Sequence, residues 1–247
     1  MRDLLQQALD SLIDSARGEA YEIFVVDNAS KDHTVEMVKA KYPEVKLIVN
    51  DQNIGFSKAN NQAIILATGE YVLVINPDTI TSADTIPKIL NFMETHENAG
   101  GLGVRMINAQ GKYLNESKRG LPTPWASMTK FSGISKVFPT SKILNKYYMG
   151  WIGEFETAEV EVLAGAFMLL RAKALKNIGL FDESFFMYGE DIDLSYRLTL
   201  AGYKNYYFPE TYIIHFKGQS TRKFSWRYIQ SFYGAMFIFV RKYFLKF

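Results

Sequence analysis

The chain has 247 residues, 48% of them hydrophobic, with a net charge of +2 and no cysteine. That is enough for a large core and too apolar for a disordered protein. A near-neutral balance gives no reason to expect a nucleic acid partner, and the missing thiols exclude disulfides and thiolate zinc sites, as befits a cytoplasmic protein.

The first twenty residues carry Leu4, Leu5, Ala8, Leu9, Leu12 and Ile13 at helical spacing. They form an amphipathic helix pattern, not the unbroken apolar region of a signal peptide. "EIFVVD" (22–27) then reads as a strand, and "HTVEMVKAKY" as a helix with Asp32 as its cap. "VKLIVN" is a second strand, and "GFSKANNQAIILATG" a helix closed by Gly69. "YVLVINPD" is a third strand, "SADTIPKILNFMETH" a third helix and "LGVRMI" a further strand. Apolar strands separated by helices predict an α/β fold, a mostly parallel sheet covered on both faces. Asp27 and Asp78 end two such strands, and both are expected at the ligand-binding edge of the sheet.

Between about 108 and 160 the pattern loosens around Pro122, Pro124 and Pro139, which reads as an insertion or flap. Order returns with "EVEVLAGAFMLLRAKAL", a strand leading into a helix. "FFMYGEDIDLSYR" (185–197) follows, placing Glu190, Asp191 and Asp193 directly behind an aromatic wall. Acids at a helix N-terminus are favoured by its partial positive charge, and ordinary capping explains one or two of the three. The wall adds something else: beside it a carboxylate pKa rises, as a general base near neutrality requires. Asp191 is expected to be that base, with Asp193 pairing with Arg197 one helical turn on. A strand pair is expected around "YKNYYFPETYIIH", ending at His215. From Lys217 to the C-terminus there are seven basic residues, ten aromatics and no acid, leaving 21 basic against 26 acidic residues elsewhere. This tail, 221–247, is expected to be an amphipathic helix. It suits an anionic membrane surface, or simply packing on the domain.

Taken singly, most of these motifs are weak. An Asn-Pro-Asp is usually only a turn, the asparagines around Gly55 can merely stitch a loop, and a lone His is usually structural. Six in order are specific. "VVDNASKD", "NIGFSKANN", "NPD", "LAGAFMLLRA", "GLFDESFFMYGEDIDLSYRLTLAGY" and "IIHFKG" resemble a bacterial family 2 glycosyltransferase, of the rhamnosyltransferase-like kind, over roughly residues 4–220.

The resemblance implies a GT-A fold, a nucleotide-diphosphate-sugar donor, a divalent metal (Mn²⁺ or Mg²⁺), and a saccharide or lipid-linked acceptor at the cytoplasmic face of the inner membrane. It implies that Asp27 contacts the nucleotide base and that Asn28, Asn53, Gly55, Asn60 and Asn76 line the donor site. Asp78 and His215 match metal ligands, Asp191 the catalytic base and Glu190 its acceptor-side neighbour. It also implies direct displacement with inversion. Family members normally begin with a strand before the helix that opens this chain, so the sheet is expected to lack that strand and part of the base pocket. The rival readings are a truncated, non-catalytic nucleotide-sugar-binding scaffold and a sugar nucleotidyltransferase. A dehydrogenase is rejected, because "GGLGVR" has the wrong spacing for a dinucleotide loop.

Overall fold

The computed structural model describes residues 1–216 and 226–244. In chain order the elements are α1 (Arg2–Ser15), β1 (Phe24–Asn28), α2 (Thr34–Lys41), β2 (Lys46–Asn50), α3 (Phe56–Leu66), β3 (Tyr71–Ile75), β4 (Thr79–Thr81), α4 (Thr85–Thr95) and β5 (Ala99–Ile107). They continue with α5 (Pro124–Phe131), α6 (Ile134–Val137), β6 (Ala158–Val160), β7 (Phe167–Arg171), α7 (Ala172–Ile178), α8 (Glu190–Leu200), β8 (Lys204–His215) and α9 (Trp226–Tyr243).

The strands form two sheets. β1 and β2 pair in parallel as one unit. The larger sheet runs β3-β7-β5-β8-β4, with β6 also on β8. β5 and β8 are parallel, while β7 is antiparallel to both β3 and β5. So β3, β5 and β8 share one direction, and β7 is threaded between the first two in the opposite sense. No strand precedes α1 among the described residues, and no ladder joins β1 to β3.

β7 shows why the sheet is covered on both faces. Successive side chains of a strand point to opposite sides. Phe167 and Leu169 pack with Ile89, Phe92 and Met93 of α4. Met168 and Leu170 pack with Leu175 of α7 and with Leu194 and Leu198 of α8. A strand buried on both sides has no polar positions to alternate, hence the unbroken "AFMLL". A smaller core joins Leu9 of α1 to Val25, Met37 and Val38 under the β1–β2 unit.

Two local expectations are corrected. Asp32 does not cap α2: its N-cap position is His33, in the left-handed region, with no side-chain cap. The Asp32 carboxylate instead accepts from Thr34 Oγ1 (2.5 Å) and from the backbone N–H of Arg2 (3.0 Å), tying α1 to the start of α2. The strand pair at 204–215 is one strand. Its register against β5 jumps from Val104–Phe208 to Arg105–Tyr212, across a bulge holding Pro209, which has no N–H for a ladder bond.

Candidate functional site

The site residues lie along an arc of short contacts that begins where β1 ends. Asp27 is buried, and one of its oxygens accepts from the Ser30 backbone N–H at 3.0 Å. Asn28 donates to the Gly55 carbonyl (3.2 Å) and accepts from Asn50 (3.0 Å). Asn53 accepts from the Gly55 N–H at 3.0 Å, and Asn60 donates back along α3 to the Phe56 carbonyl at 2.9 Å. These amides therefore shape the loop around Gly55. Gly55 itself has φ +89°, and a Cβ there would lie 2.6 Å from the Phe186 carbonyl oxygen. That carbonyl also accepts from Phe56 N–H at 2.8 Å. Only glycine permits this approach, which fastens the loop to the aromatic wall.

The wall ends in two successive left-handed residues, Tyr188 (φ +70°) and Gly189 (φ +83°), which turn the chain sharply into α8. Glu190 and Asp191 occupy the first turn of α8. Their surroundings differ. Glu190 is buried and its Oε2 has no partner among the described residues. Burial, and then the neighbouring Asp191, push its pKa up to about 8. Glu190, the expected acceptor-side neighbour, is thus a carboxyl that burial favours in its neutral form.

Asp191 is instead ion-paired with Arg119, and it accepts from the Gly165 N–H at 3.2 Å. Arg119, partly buried in the loosely patterned 108–160 segment, also donates to the Leu163 carbonyl at 2.5 Å. Burial opposes the Arg119 charge, but Asp191 and Tyr147 outweigh it and the pKa rises. Burial likewise pushes the Tyr147 hydroxyl up, yet Arg119 and Lys130 together leave it lowered.

Gly165 sits in the turn between β6 and β7, and this turn carries the arc onward. The adjacent Ala166 carbonyl accepts from Asn76 N–H at 3.0 Å. Two residues later, Asp78 is buried beside His215, with Oδ1 3.4 Å from Nε2. Pairing of β4 with β8 sets them side by side, since Thr79 is opposite His215 and the Asp78 carbonyl accepts from Phe216 N–H at 2.9 Å. Asp78 Oδ1 and His215 Nδ1 are buried polar atoms with no hydrogen-bond partner among the described residues. A hard oxygen and an imidazole nitrogen left unsatisfied fit a divalent cation. No group of three or more acidic or histidine side chains able to hold a metal occurs among the described residues; hard cations such as Mg²⁺ commonly take one or two carboxylates together with substrate phosphates and water.

Several residues escape a reading by motif. Arg119 lies 72 positions from Asp191 in a stretch without periodicity, so nothing in the sequence pairs them. Asn61 clamps the segment leading to the wall: it donates to the Phe181 carbonyl (2.9 Å) and to Glu183 (3.0 Å), and accepts from Phe181 N–H (3.1 Å). Asp193 is fully buried, held by Arg197 at 2.8 Å as expected, and also by Lys242 and Tyr243 of α9, both at 2.7 Å.

The profile of glycosyl transferase family 2 matches residues 2–179. The chain belongs to this family. It is similar to the N-acetylglucosaminyl-diphospho-decaprenol L-rhamnosyltransferase of Mycobacterium tuberculosis, 28% identical over 88% of this chain and 74% of that protein. It is equally similar, at 28% identity, to the rhamnosyltransferase WbbL of Escherichia coli, over 90% of this chain and 82% of the relative. Among solved structures, Staphylococcus aureus TarS 1-349 in complex with UDP-GlcNAc superposes with a TM-score of 0.61, at 20% identity, over 98% of this chain and 64% of that one. The mannosyltransferase PcManGT of Pyrobaculum calidifontis, in complex with GDP-Man and Mn²⁺, gives 0.58 at 16% identity, over 89% of this chain and 55% of its own. The chain thus has the expected GT-A fold, spans between half and two thirds of those structures, and is a family 2 glycosyltransferase. Glu190, Asp191 and His215 lie beyond the stretch that the profile matches.

Proposed function

We propose that the chain transfers a sugar, rhamnose in the first instance, from a nucleotide-diphosphate donor to a saccharide or lipid-linked saccharide acceptor, with inversion. The observation that carries this reading is the arc itself, with an unsatisfied Asp78–His215 pair at one end and a buried acid pair further back, linked through the 164–166 turn. The named substrates of the relatives support the donor and acceptor classes: a nucleotide sugar in the TarS complex, a decaprenol-linked diphosphate in the mycobacterial enzyme.

In this mechanism the β1 edge and the Gly55 loop receive the nucleotide, with Asp27 and Asn28 toward the base and Asn53, Asn60 and Asn76 shaping the donor cleft. Asp78 and His215 would hold a divalent cation, Mn²⁺ or Mg²⁺, which when bound supplies charge neutralisation for the leaving diphosphate. Asp191 takes the proton from an acceptor hydroxyl, and that oxygen attacks the anomeric carbon opposite the diphosphate. Arg119 and the Gly165 N–H fix the Asp191 carboxylate at that task. Glu190, neutral at pH 7 with a free buried oxygen, meets the acceptor as a hydrogen-bonding partner.

Asp191→Asn tests the assignment. A positioned general base contributes roughly 10²–10⁴-fold. The variant should lose turnover by about that factor and retain donor binding by calorimetry. Turnover within a few-fold of wild type would remove Asp191 from the role.

A further inference from the structure

A surface helix ordinarily buries its large apolar residues and exposes its polar ones. The α5–α6 hairpin does the reverse. Ala126, Thr129, Ser135 and Asn145 are buried, all of them small or polar. Outward stand Trp125, Met128 and Phe131, recurring every third residue on α5 and 47–61% exposed. Val137, Phe138 and Ile143 are 72%, 51% and 68% exposed, and Ile134 joins them. Seven of the eighteen exposed large hydrophobic residues among the described ones thus fall within 125–143. The Trp125 indole donates to the Ile143 carbonyl at 2.9 Å. Its polar edge is satisfied, and the two ends of the hairpin are joined.

The charge around this face has one sign. From Ser117 to Gly153 there are six basic residues and no acid. Lys118 and Arg119 turn inward, onto the Ile152 carbonyl and Asp191, and Lys130 lies 3.5 Å over the Tyr147 ring. Lys136 and Lys142 are exposed beside the apolar residues.

We propose that the α5–α6 hairpin is the surface by which this enzyme sits on an anionic lipid bilayer. Its aromatic and aliphatic residues enter the boundary between headgroups and acyl chains, and Lys136 and Lys142 lie against lipid phosphates. α5 has eight residues and α6 four, about 12 and 6 Å of helix, so they lie in the interface and do not span it. A second copy of the chain is a poorer occupant, because two such faces would set these lysines against each other. The site also falls where a lipid-linked acceptor would need it, and in this the inference rests on the reading given above. Arg119, on Asp191, stands only five residues before α5. In α9, Ala235 and Phe239 are covered by the domain, packing with Phe185, Ile192 and Tyr196, while Phe237, and Phe244 directly after the helix, are exposed.

Co-sedimentation of the full chain with vesicles tests this, using phosphatidylcholine alone and phosphatidylcholine with roughly a third phosphatidylglycerol. Wild type should pellet with the anionic vesicles, less so at high salt, and not with the neutral ones. Replacing Phe131, Val137 and Phe138 together by serine should weaken binding at least tenfold, with the melting temperature and donor-induced thermal shift retained. Lys136→Glu with Lys142→Glu should weaken it by more than about twentyfold, since a basic residue near such a surface is worth roughly fivefold. The proposal is overturned if wild type stays in the supernatant, or if the serine variant pellets like wild type. It is equally overturned if sedimentation velocity finds a lipid-free dimer that the serine changes dissociate while vesicle binding persists. Donor binding, and transfer to a short water-soluble acceptor, report on the transferase reading separately and should be the same in the serine variant as in wild type.

Discussion

Glu190 and Asp191 are neighbours in sequence with opposite surroundings, and their pH behaviour should separate them. With a folded-state pKa of about 8 against an ordinary 4.5, Glu190 holds its proton in the folded chain at pH values where the unfolded chain has lost it. Its contribution to stability is therefore complete below about pH 4.5 and lost as pH rises towards about 8. Glu190→Gln should flatten that decline in denaturant titrations across the window. Because glutamine resembles the neutral carboxyl, the same variant should keep most turnover at pH 7, unlike Asp191→Asn. An equal collapse in both would mean that Glu190 works as the ionised form. That three carboxylates stand behind an aromatic wall is plain in "FFMYGEDID". Which of them carries an ion pair is not, because Arg119, the partner of Asp191, stands 72 positions away.

The elements around the site are held by a few buried polar ties. Asp193 joins α8 to α9, accepting from Arg197, Lys242 and Tyr243 while itself fully buried. Removing one member of a buried charge cluster costs about 3–5 kcal/mol. Asp193→Ala should therefore lose about that much in urea unfolding and release α9 to limited proteolysis. Lys242→Ala, at a site about a third exposed, should lose less than about 1 kcal/mol. The i to i+4 pairing with Arg197 was legible from spacing alone; the hold on α9 was not, because it spans 49 residues. Gly55 is the corresponding tie on the donor side. With φ +89° and Phe186 2.6 Å from its missing Cβ, Gly55→Ala should cost about 1–3 kcal/mol and also weaken donor binding. A loss of stability with unchanged donor affinity would show that the loop serves the wall alone.

Across the whole molecule, the apolar runs were enough to place helices on both faces of a sheet, because a doubly buried strand has no other composition open to it. They could not show β7 entering against the direction of its neighbours, since periodicity carries no direction. Nor could they show the β1–β2 unit standing apart from the larger sheet. Three separate pieces thus meet at one edge: the β1–β2 unit with the Gly55 loop, the larger sheet with Asp78 and His215, and the 108–160 segment with Arg119. A donor that spans the first two should stabilise both together. At a ligand concentration about 100 times Kd, binding adds about 2.7 kcal/mol. For a chain of this size each kcal/mol raises the melting temperature by about 2–4 °C, so a cognate nucleotide sugar with Mn²⁺ should raise it by about 5–11 °C. Chelating the metal should remove most of that shift. So should Asp78→Asn, which keeps the volume and removes the charge that faces His215 at 3.4 Å. A full shift in the chelated protein would mean that the nucleotide site holds its ligand without Asp78 and His215, and would leave those two buried atoms without an explanation.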